Sequence, residues 1–146
     1  AETVLAGWLL DQAGMDVPDG ILSVVPDVDG ISVSASGEVT GDALNVPWAA
    51  RADYLVGLAR QDGGLAVYLA PIEAFTATAD QNIARDPRDA VEFSGTAQLA
   101  TAPASFNAET LRLYGAMVRS AQMAGALERI LEHTACRHHR DRLGHQ

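Results

Sequence analysis

A cluster of basic side chains near the C-terminal end of the chain has the composition of an anion-binding site. The cluster consists of Arg137, His138, His139, Arg140 and Arg142, on a chain whose net charge is −9. A pyrophosphate requires donors of this kind, and arginine can supply them in bidentate geometry. The same charges would also complement the dipole at the end of a helix, so the sequence leaves both interpretations open.

The other reactive side chains form no catalytic or metal-binding pattern in the sequence. His138 and His139 are adjacent and would point to different sides of a helix, without the i, i+4 spacing of a zinc site. Cys136 is the single cysteine, and a lone cysteine is more often inert than catalytic. We find no Ser/His/Asp or Cys/His constellation. The sequence therefore predicts no metal site and leaves the catalytic residue unknown.

Length, charge and hydropathy restrict the class of protein. A chain of 146 residues, 48% of them hydrophobic, normally forms one domain with a sizeable core. The net charge of −9 argues against nucleic acid or an anionic membrane as the main partner, because both require a basic surface. No apolar run approaches the ~20 residues of a membrane-spanning helix, and the apolar N-terminal segment lacks the basic flank of a signal peptide. With a single cysteine, a reducing cytoplasm is the simplest compartment.

The middle of the chain has the pattern of a β-domain. Short apolar and β-branched runs are separated by Gly, Asp and Pro, and residues 61–64 read Gln-Asp-Gly-Gly, which is a hairpin signal. Such runs leave no room for the crossover helices of a parallel α/β sheet, and their spacing favours a sandwich or a barrel. The predicted strands are 21–25, 31–35, 39–46, 53–59, 65–69, 75–79 and 90–93.

Helical patterns flank this β-domain. Residues 2–13 place apolar side chains on one face, and Gly14 follows them as a residue typical of helix C-termini. Asn107 is a favourable N-cap for a long helix that we extend to Gly144. The predicted fold class is therefore α+β, a β-barrel or sandwich between a short N-terminal helix and a long C-terminal helix.

The long helix carries a stripe of apolar and small residues that we expect to pack in a helical interface, within the chain or between chains. Its thin centre around Gly125 would let two backbones approach closely, so we expect Gly125→Leu to overpack the contact. The stripe consists of Tyr114, Met117, Val118, Ala121, Ala124, Leu127, Leu131 and Thr134, and Gly125 and Ala126 add to its thin centre.

The same helix resembles the first helix of the C-terminal domain of acyl-CoA dehydrogenases. Residues 125–132 read Gly-Ala-Leu-Glu-Arg-Ile-Leu-Glu, which is similar to that family's G-x-x-x-R-x-L-[DE] turn. Residues 140–144 read Arg-Asp-Arg-Leu-Gly and are similar to its R-x-Q-F-G segment, which meets the pyrophosphate of FAD. The resemblance therefore implies that Arg140 and Arg142 contact this cofactor.

A second segment resembles the W-[IV]-[ST] strand of the family's middle domain, which is followed by an Ala-Asp pair. Trp48, Ala49 and Ala50 would stand at the three motif positions, and residues 52–53 supply the Ala-Asp pair. The resemblance implies that these three residues face the flavin. The alternative interpretation is that Trp48 is a core aromatic residue at the end of a strand.

The resemblance also implies a domain organisation. Residues 1–20 would end an N-terminal helical domain, residues 21–105 would form the middle β-domain, and residues 106–146 would begin a C-terminal four-helix bundle. The chain begins without a Met and stops within a predicted helix. We therefore expect a fragment, or the ordered part, of a longer protein.

The function implied by the resemblance is α,β-desaturation of an acyl-CoA thioester, in which a Glu removes the α proton and FAD accepts hydride. The base is commonly in the later bundle, and a second known location corresponds to the neighbourhood of Tyr114 and Gly115, where this chain has no base. Partners would be an acyl-CoA substrate and related dehydrogenase subunits in a homo- or hetero-oligomer.

The sequence departs from the family where the flavin should be held. By this resemblance Ala50 lacks the hydroxyl, Val25 replaces the Glu of a T-E-P segment, and Arg142-Leu143 replace Gln-Phe. For residues 23–26, which read Ser-Val-Val-Pro, a plain buried strand is the interpretation that we favour. One hypothesis is a subunit or fragment of an FAD-dependent acyl-CoA dehydrogenase of fatty-acid or sterol catabolism. Another is a structural partner that has lost flavin binding, with FAD shared with or supplied by an active homologue. A stand-alone β-sandwich binding module is a third.

Overall fold

The computed structural model describes residues 2–61 and 64–143, with side chains described up to residue 134. Within this part of the chain, helices α1 (Glu2–Gln12) and α2 (Ala108–Leu143) flank eight strands. The strands are β1 (Leu22–Val24), β2 (Ile31–Val33), β3 (Glu38–Pro47), β4 (Tyr54–Gln61), β5 (Gly64–Pro71), β6 (Phe75–Thr78), β7 (Arg88–Thr96) and β8 (Gln98–Thr101). Neither described helix is long and apolar enough to cross a membrane.

All the strands belong to one strongly curled, mixed sheet. Its order is β6-β7-β3-β2-β4-β5-β8, and β1 pairs in parallel with β4 beside this path. The β4–β5 hairpin closes from Gln61 to Gly64, as the turn composition predicts. Between the strands of the described chain lie only two single 3₁₀ turns, Ala49–Arg51 and Ile72–Ala74. The predicted α+β class is therefore confirmed, whereas strand β8 was not predicted.

The sheet is packed on both faces, and β4 shows this most clearly. Leu55 and Ala59 belong to a core cluster built only from the sheet and its connections. Val56 and Leu58, which alternate with them, belong to a second cluster that includes α1. Because successive side chains of a strand point to opposite faces, a strand buried on both sides must be apolar throughout. This explains why the run at 55–59 is continuously apolar and does not alternate.

Tyr68 places a hydroxyl inside the first of these clusters. The side chain is fully buried, and its hydroxyl has no hydrogen-bond partner in the described structure. Burial, and secondarily the charge of Asp27, raise the pKa of Tyr68 well above its ordinary value, so the group stays protonated. A buried polar group without a partner reduces the free energy of unfolding.

We expect Tyr68→Phe to raise the free energy of unfolding by about 1 kcal/mol, because it removes an unsatisfied hydroxyl without changing the shape of the ring. Urea unfolding followed by circular dichroism measures the change. Tyr54→Phe is the matched control, since Tyr54 is only partly buried and should tolerate the same change with little effect. A clear loss of stability in Tyr68→Phe would show that the hydroxyl has a partner.

Among the described side chains, helix α2 contacts the body through its first turns, up to the Arg119–Glu2 ion pair. Asn107 caps it as predicted, because its Oδ1 accepts the Thr110 N–H at 2.8 Å. Leu111 is buried in the cluster beneath α1. The indole of Trp8 stacks on the rings of Tyr114 and Phe106, with centroids 3.9 and 5.2 Å away.

Most of the rest of the predicted stripe on α2 is exposed, and only Val118 is half-buried. Of the two interfaces expected for the stripe, within the chain or between chains, the described residues therefore do not supply the first. Met117, Leu127 and Leu131 are all exposed. A Cβ added at Gly125 would meet no atom within 4 Å, so Gly125→Leu has nothing to overpack in this chain. Helical periodicity indicates that a face is apolar, but it does not indicate which molecule covers that face. Packing of this face against another chain stays a prediction.

Candidate functional site

The residues at 48–51 form a sharp turn at the end of β3. The register of β3 against β7 shifts between Ala43 and Val46, which marks a bulge just before the turn. Trp48 then adopts a left-handed conformation, with φ 55° and ψ 24°, which is uncommon for a bulky residue. Ala49 points into the core, whereas Trp48 is 38% exposed. The interpretation of Trp48 as a core aromatic residue is therefore wrong.

The exposed indole of Trp48 lies under a cation. The guanidinium carbon of Arg51 is 5.4 Å from the ring centroid, within the range of a cation–π contact. Together with Asp80 and Arg85, these two side chains line an open cleft of about 330 Å³. The turn is thus an exposed, polar and aromatic surface. That Trp48, Ala49 and Ala50 face a flavin stays a prediction.

The two segments that the resemblance links to the flavin are neighbours in space. The Ser23 hydroxyl donates a hydrogen bond to the Pro47 carbonyl, which joins β1 to the end of β3. Val25 donates its N–H to Val56 at 2.9 Å, and its side chain is completely buried in the core. Val25 is therefore part of the buried core, and its alignment with the Glu of the family's T-E-P segment stays a prediction. The sequence alone did not predict the Ser23–Pro47 contact.

Asp89 is a buried carboxylate beneath the turn that sequence reasoning missed. Its side chain is 2% exposed. One oxygen, Oδ2, accepts the N–H of Ala50 at 2.8 Å, and the other, Oδ1, accepts the N–H of Asp80 at 3.2 Å. The available signal was an Asp at the start of a strand. Asp is uncommon in strands, and it is seldom buried unless its carboxylate is paired. In the sequence Asp-Pro-Arg-Asp it is easily taken for an ordinary turn residue.

A larger cavity of about 570 Å³ lies between the β1–β2 loop, α1 and the first turns of α2. Its apolar wall includes Leu5, Val24, Val28, Leu111 and Val118. Gly115, near the start of α2, also lines it and leaves room because it has no side chain. A cavity of this size and lining fits the apolar part of a small molecule.

Both acidic and basic side chains surround this apolar wall. Arg119 of α2 contacts Glu2 of α1 in an ion pair. Burial favours the protonated form of Glu2, but a backbone hydrogen bond and the Arg119 guanidinium outweigh it and lower the pKa of the carboxyl. The other carboxylates of the lining are Asp27 and Asp29. Asp27 accepts the N–H of Asp29 at 3.0 Å, and Asp29 pairs with Arg60.

Two of the predicted site residues cannot be placed at this turn. Arg140 and Arg142 belong to the backbone of α2, but their side chains lie outside the described residues. Their contact with a pyrophosphate stays a prediction. Among the described side chains, no three His, Cys, Asp or Glu residues converge as the ligands of a metal ion would.

No protein-family model and no curated protein matches the chain. Solved structures do match it. The ChsE4-ChsE5 complex from Mycobacterium tuberculosis has a TM-score of 0.53 at 22% identity, over 64% of this chain and 29% of that chain. A variant of the Tcur3481-Tcur3483 steroid acyl-CoA dehydrogenase has a TM-score of 0.50 at 18% identity, over 57% of this chain and 27% of that chain.

This chain thus spans less than a third of the length of either matched chain. The curled mixed sheet described above matches the middle domain of these structures. At this level of identity the likeness concerns the fold. The chain has the fold of the acyl-CoA dehydrogenase middle domain, as the sequence resemblance predicts.

Proposed function

We propose that this chain is part of an FAD-dependent acyl-CoA dehydrogenase assembly, which desaturates an acyl-CoA thioester in fatty-acid or sterol catabolism. Within that assembly we propose that it serves as the structural partner of a flavin-carrying subunit. The observation that carries this role is the chemistry of the two adjacent segments that the resemblance links to the flavin. Ala50 offers no hydroxyl, and Val25 is an alkyl side chain buried in the core.

These residues do not fit a flavin as the family's residues do. The flavin ring has polar edges, and a polar atom left buried without a partner costs about 1–3 kcal/mol. At both positions the side chain that would meet such an edge is absent. FAD would therefore have to be held mainly by the partner, with Arg140 and Arg142 contributing to its pyrophosphate.

The exposed face of α2 supports an oligomeric role. Met117, Met123, Leu127 and Leu131 leave a long apolar surface uncovered in this chain, and such surfaces mark sites of protein association. One of the structures with the same fold is a complex of two named proteins, ChsE4 and ChsE5. Related dehydrogenase subunits are therefore the partners we propose, in the cytoplasm.

A flavin-carrying catalytic subunit is the second candidate role, and the cavity of about 570 Å³ favours it. Its apolar wall suits an acyl group. Desaturation, however, requires a base for the α proton. The carboxylates that line the cavity are already engaged: Glu2 with Arg119, Asp29 with Arg60, and Asp27 with the N–H of Asp29. In the family the base commonly lies in the later bundle, so these contacts do not decide between the two roles.

The flavin content of purified protein tests this proposal. We expect the full chain alone to show no stoichiometric flavin absorption, and its complex with a co-expressed subunit of the same fold to retain FAD. The losses at Ala50 and Val25, together with the replacement of Gln-Phe by Arg142-Leu143, amount to three hydrogen bonds. At about 0.5–1.5 kcal/mol each, they weaken binding on the order of a hundredfold.

Replacing Arg140 and Arg142 together by Ala should reduce flavin retention in that complex. The circular dichroism of the chain should stay unchanged, which controls for loss of the fold. Stoichiometric, tight FAD on the isolated wild-type chain would contradict the partner role and support the catalytic one.

A further inference from the structure

We infer that Asp89 is a positioning residue that removes the last hydrogen-bond donor of Ala50 from use by a flavin. This inference rests on the proposed role of the chain as the flavin-free partner. It gives a second cause of weak flavin binding, besides the missing hydroxyl of the Ala50 side chain. The missing hydroxyl of Ala50 is visible in the sequence, whereas the engagement of its backbone N–H is visible only in the structure.

The geometry of Asp89 makes this engagement strong. Asp89 lies in β7 opposite Val46 of β3, directly before the turn that carries Ala50. Its carboxylate is 2% exposed, and it accepts the N–H groups of Ala50 and Asp80 on separate oxygens. Hydrogen bonds to an ionised acceptor are roughly twice as strong as neutral ones.

The two N–H groups are also the partners on which the buried charge depends. In the described part of the chain, Asp89 forms no ion pair with an arginine. A buried charge that loses its partners is strongly destabilising, so neither N–H is readily surrendered to a ligand. Asp89 therefore fixes both the turn and the loop that contains Asp80, which are two walls of the 330 Å³ cleft.

Ala50 is left with nothing to donate. A backbone N–H carries one hydrogen, and here that hydrogen points to the Asp89 carboxylate. The side chain of Ala50 is a methyl group on an exposed position. A hydroxyl restored at this position would supply one donor, but the amide would stay occupied as long as Asp89 is present. Two features therefore leave the turn without a donor for a flavin: the methyl side chain of Ala50, and the Asp89 carboxylate that accepts its N–H.

A cycle of four full-length chains tests this inference: the wild type, Ala50→Ser, Asp89→Ala and the double variant. FAD affinity is measured for each by equilibrium dialysis. We expect Ala50→Ser alone to tighten binding by no more than about tenfold, and the double variant to bind at least about tenfold tighter than Ala50→Ser, or 1.4 kcal/mol. A single Ala50→Ser that binds as tightly as the double variant, or a double variant no better than the wild type, would overturn the inference.

Amide hydrogen exchange in the wild-type chain gives a test that needs no variant to fold and no flavin. Ala50 and Ile83 both have exposed side chains, but only Ala50 donates its N–H to a buried carboxylate. We expect the Ala50 amide to exchange at least about a hundredfold more slowly than that of Ile83. Equal rates would refute the Asp89 contact. Tight FAD on the wild-type chain would instead refute the proposed role, so the two failures are distinguishable.

Discussion

Replacing Gly41 by alanine is expected to lower the free energy of unfolding by about 3 kcal/mol or more. Gly41 lies in β3 with φ +123°, a conformation that an L residue with a side chain rarely adopts. A Cβ at this position would lie 2.0 Å from the carbonyl oxygen of Gly30. Both the backbone strain and the clash destabilise the variant. Neither is easily relieved, because Gly41 is paired with Ile31 of β2. Chemical denaturation of the purified chain measures the loss.

Gly7→Ala is the matched control for this substitution. Gly7 lies in α1, and a Cβ added there would meet no atom within 4 Å. Alanine is favoured over glycine within a helix by about 0.5–1 kcal/mol, so this variant should be slightly more stable than the wild type. If Gly41→Ala were as stable as Gly7→Ala, the backbone of Gly41 could not lie as close to the Gly30 carbonyl as described.

Local signals in the sequence account for the parts of the fold that could be predicted. The β4–β5 hairpin follows from two apolar runs joined by a turn of Gln, Asp and Gly. The start of α2 follows from Asn107, whose side chain must satisfy an N–H that the helix leaves free. The apolar run at 55–59 predicts a buried strand, since no polar face interrupts it. Each signal acts over a few residues, which is why it can be read without the tertiary structure.

The features that could not be predicted depend on contacts between distant parts of the chain. The exposure of Leu127 and Leu131 follows from the absence of a neighbouring element in the described structure, which a helical period does not encode. Asp89 has its role only because β7 lies beside the end of β3. The left-handed conformation of Trp48 places its ring on the surface, although its size and hydrophobicity suggest a core position.

Trp8→Ala is expected to have the second large effect, a loss of about 3 kcal/mol in the free energy of unfolding. The Trp8 ring lies between α1 and α2 and stacks on Phe106 and Tyr114. Truncation would remove both ring contacts and leave a void next to Leu111, which neighbouring elements can fill only in part. Urea unfolding gives the magnitude, and far-ultraviolet circular dichroism shows whether the long helix is retained.

Trp48→Ala provides the comparison, because Trp8 and Trp48 are the two tryptophans of the chain. Trp48 is exposed and contacts mainly Arg51, so its truncation should cost less than about 1 kcal/mol. Equal losses for the two variants would contradict the anchoring of α2 by Trp8. The same contrast bears on function, since Leu5 and Leu111 line the cavity of about 570 Å³ and depend on the α1–α2 contact. We therefore expect Trp8→Ala to disrupt the cavity while leaving the turn at residues 48–51 intact, and Trp48→Ala to alter the turn while leaving the cavity unchanged.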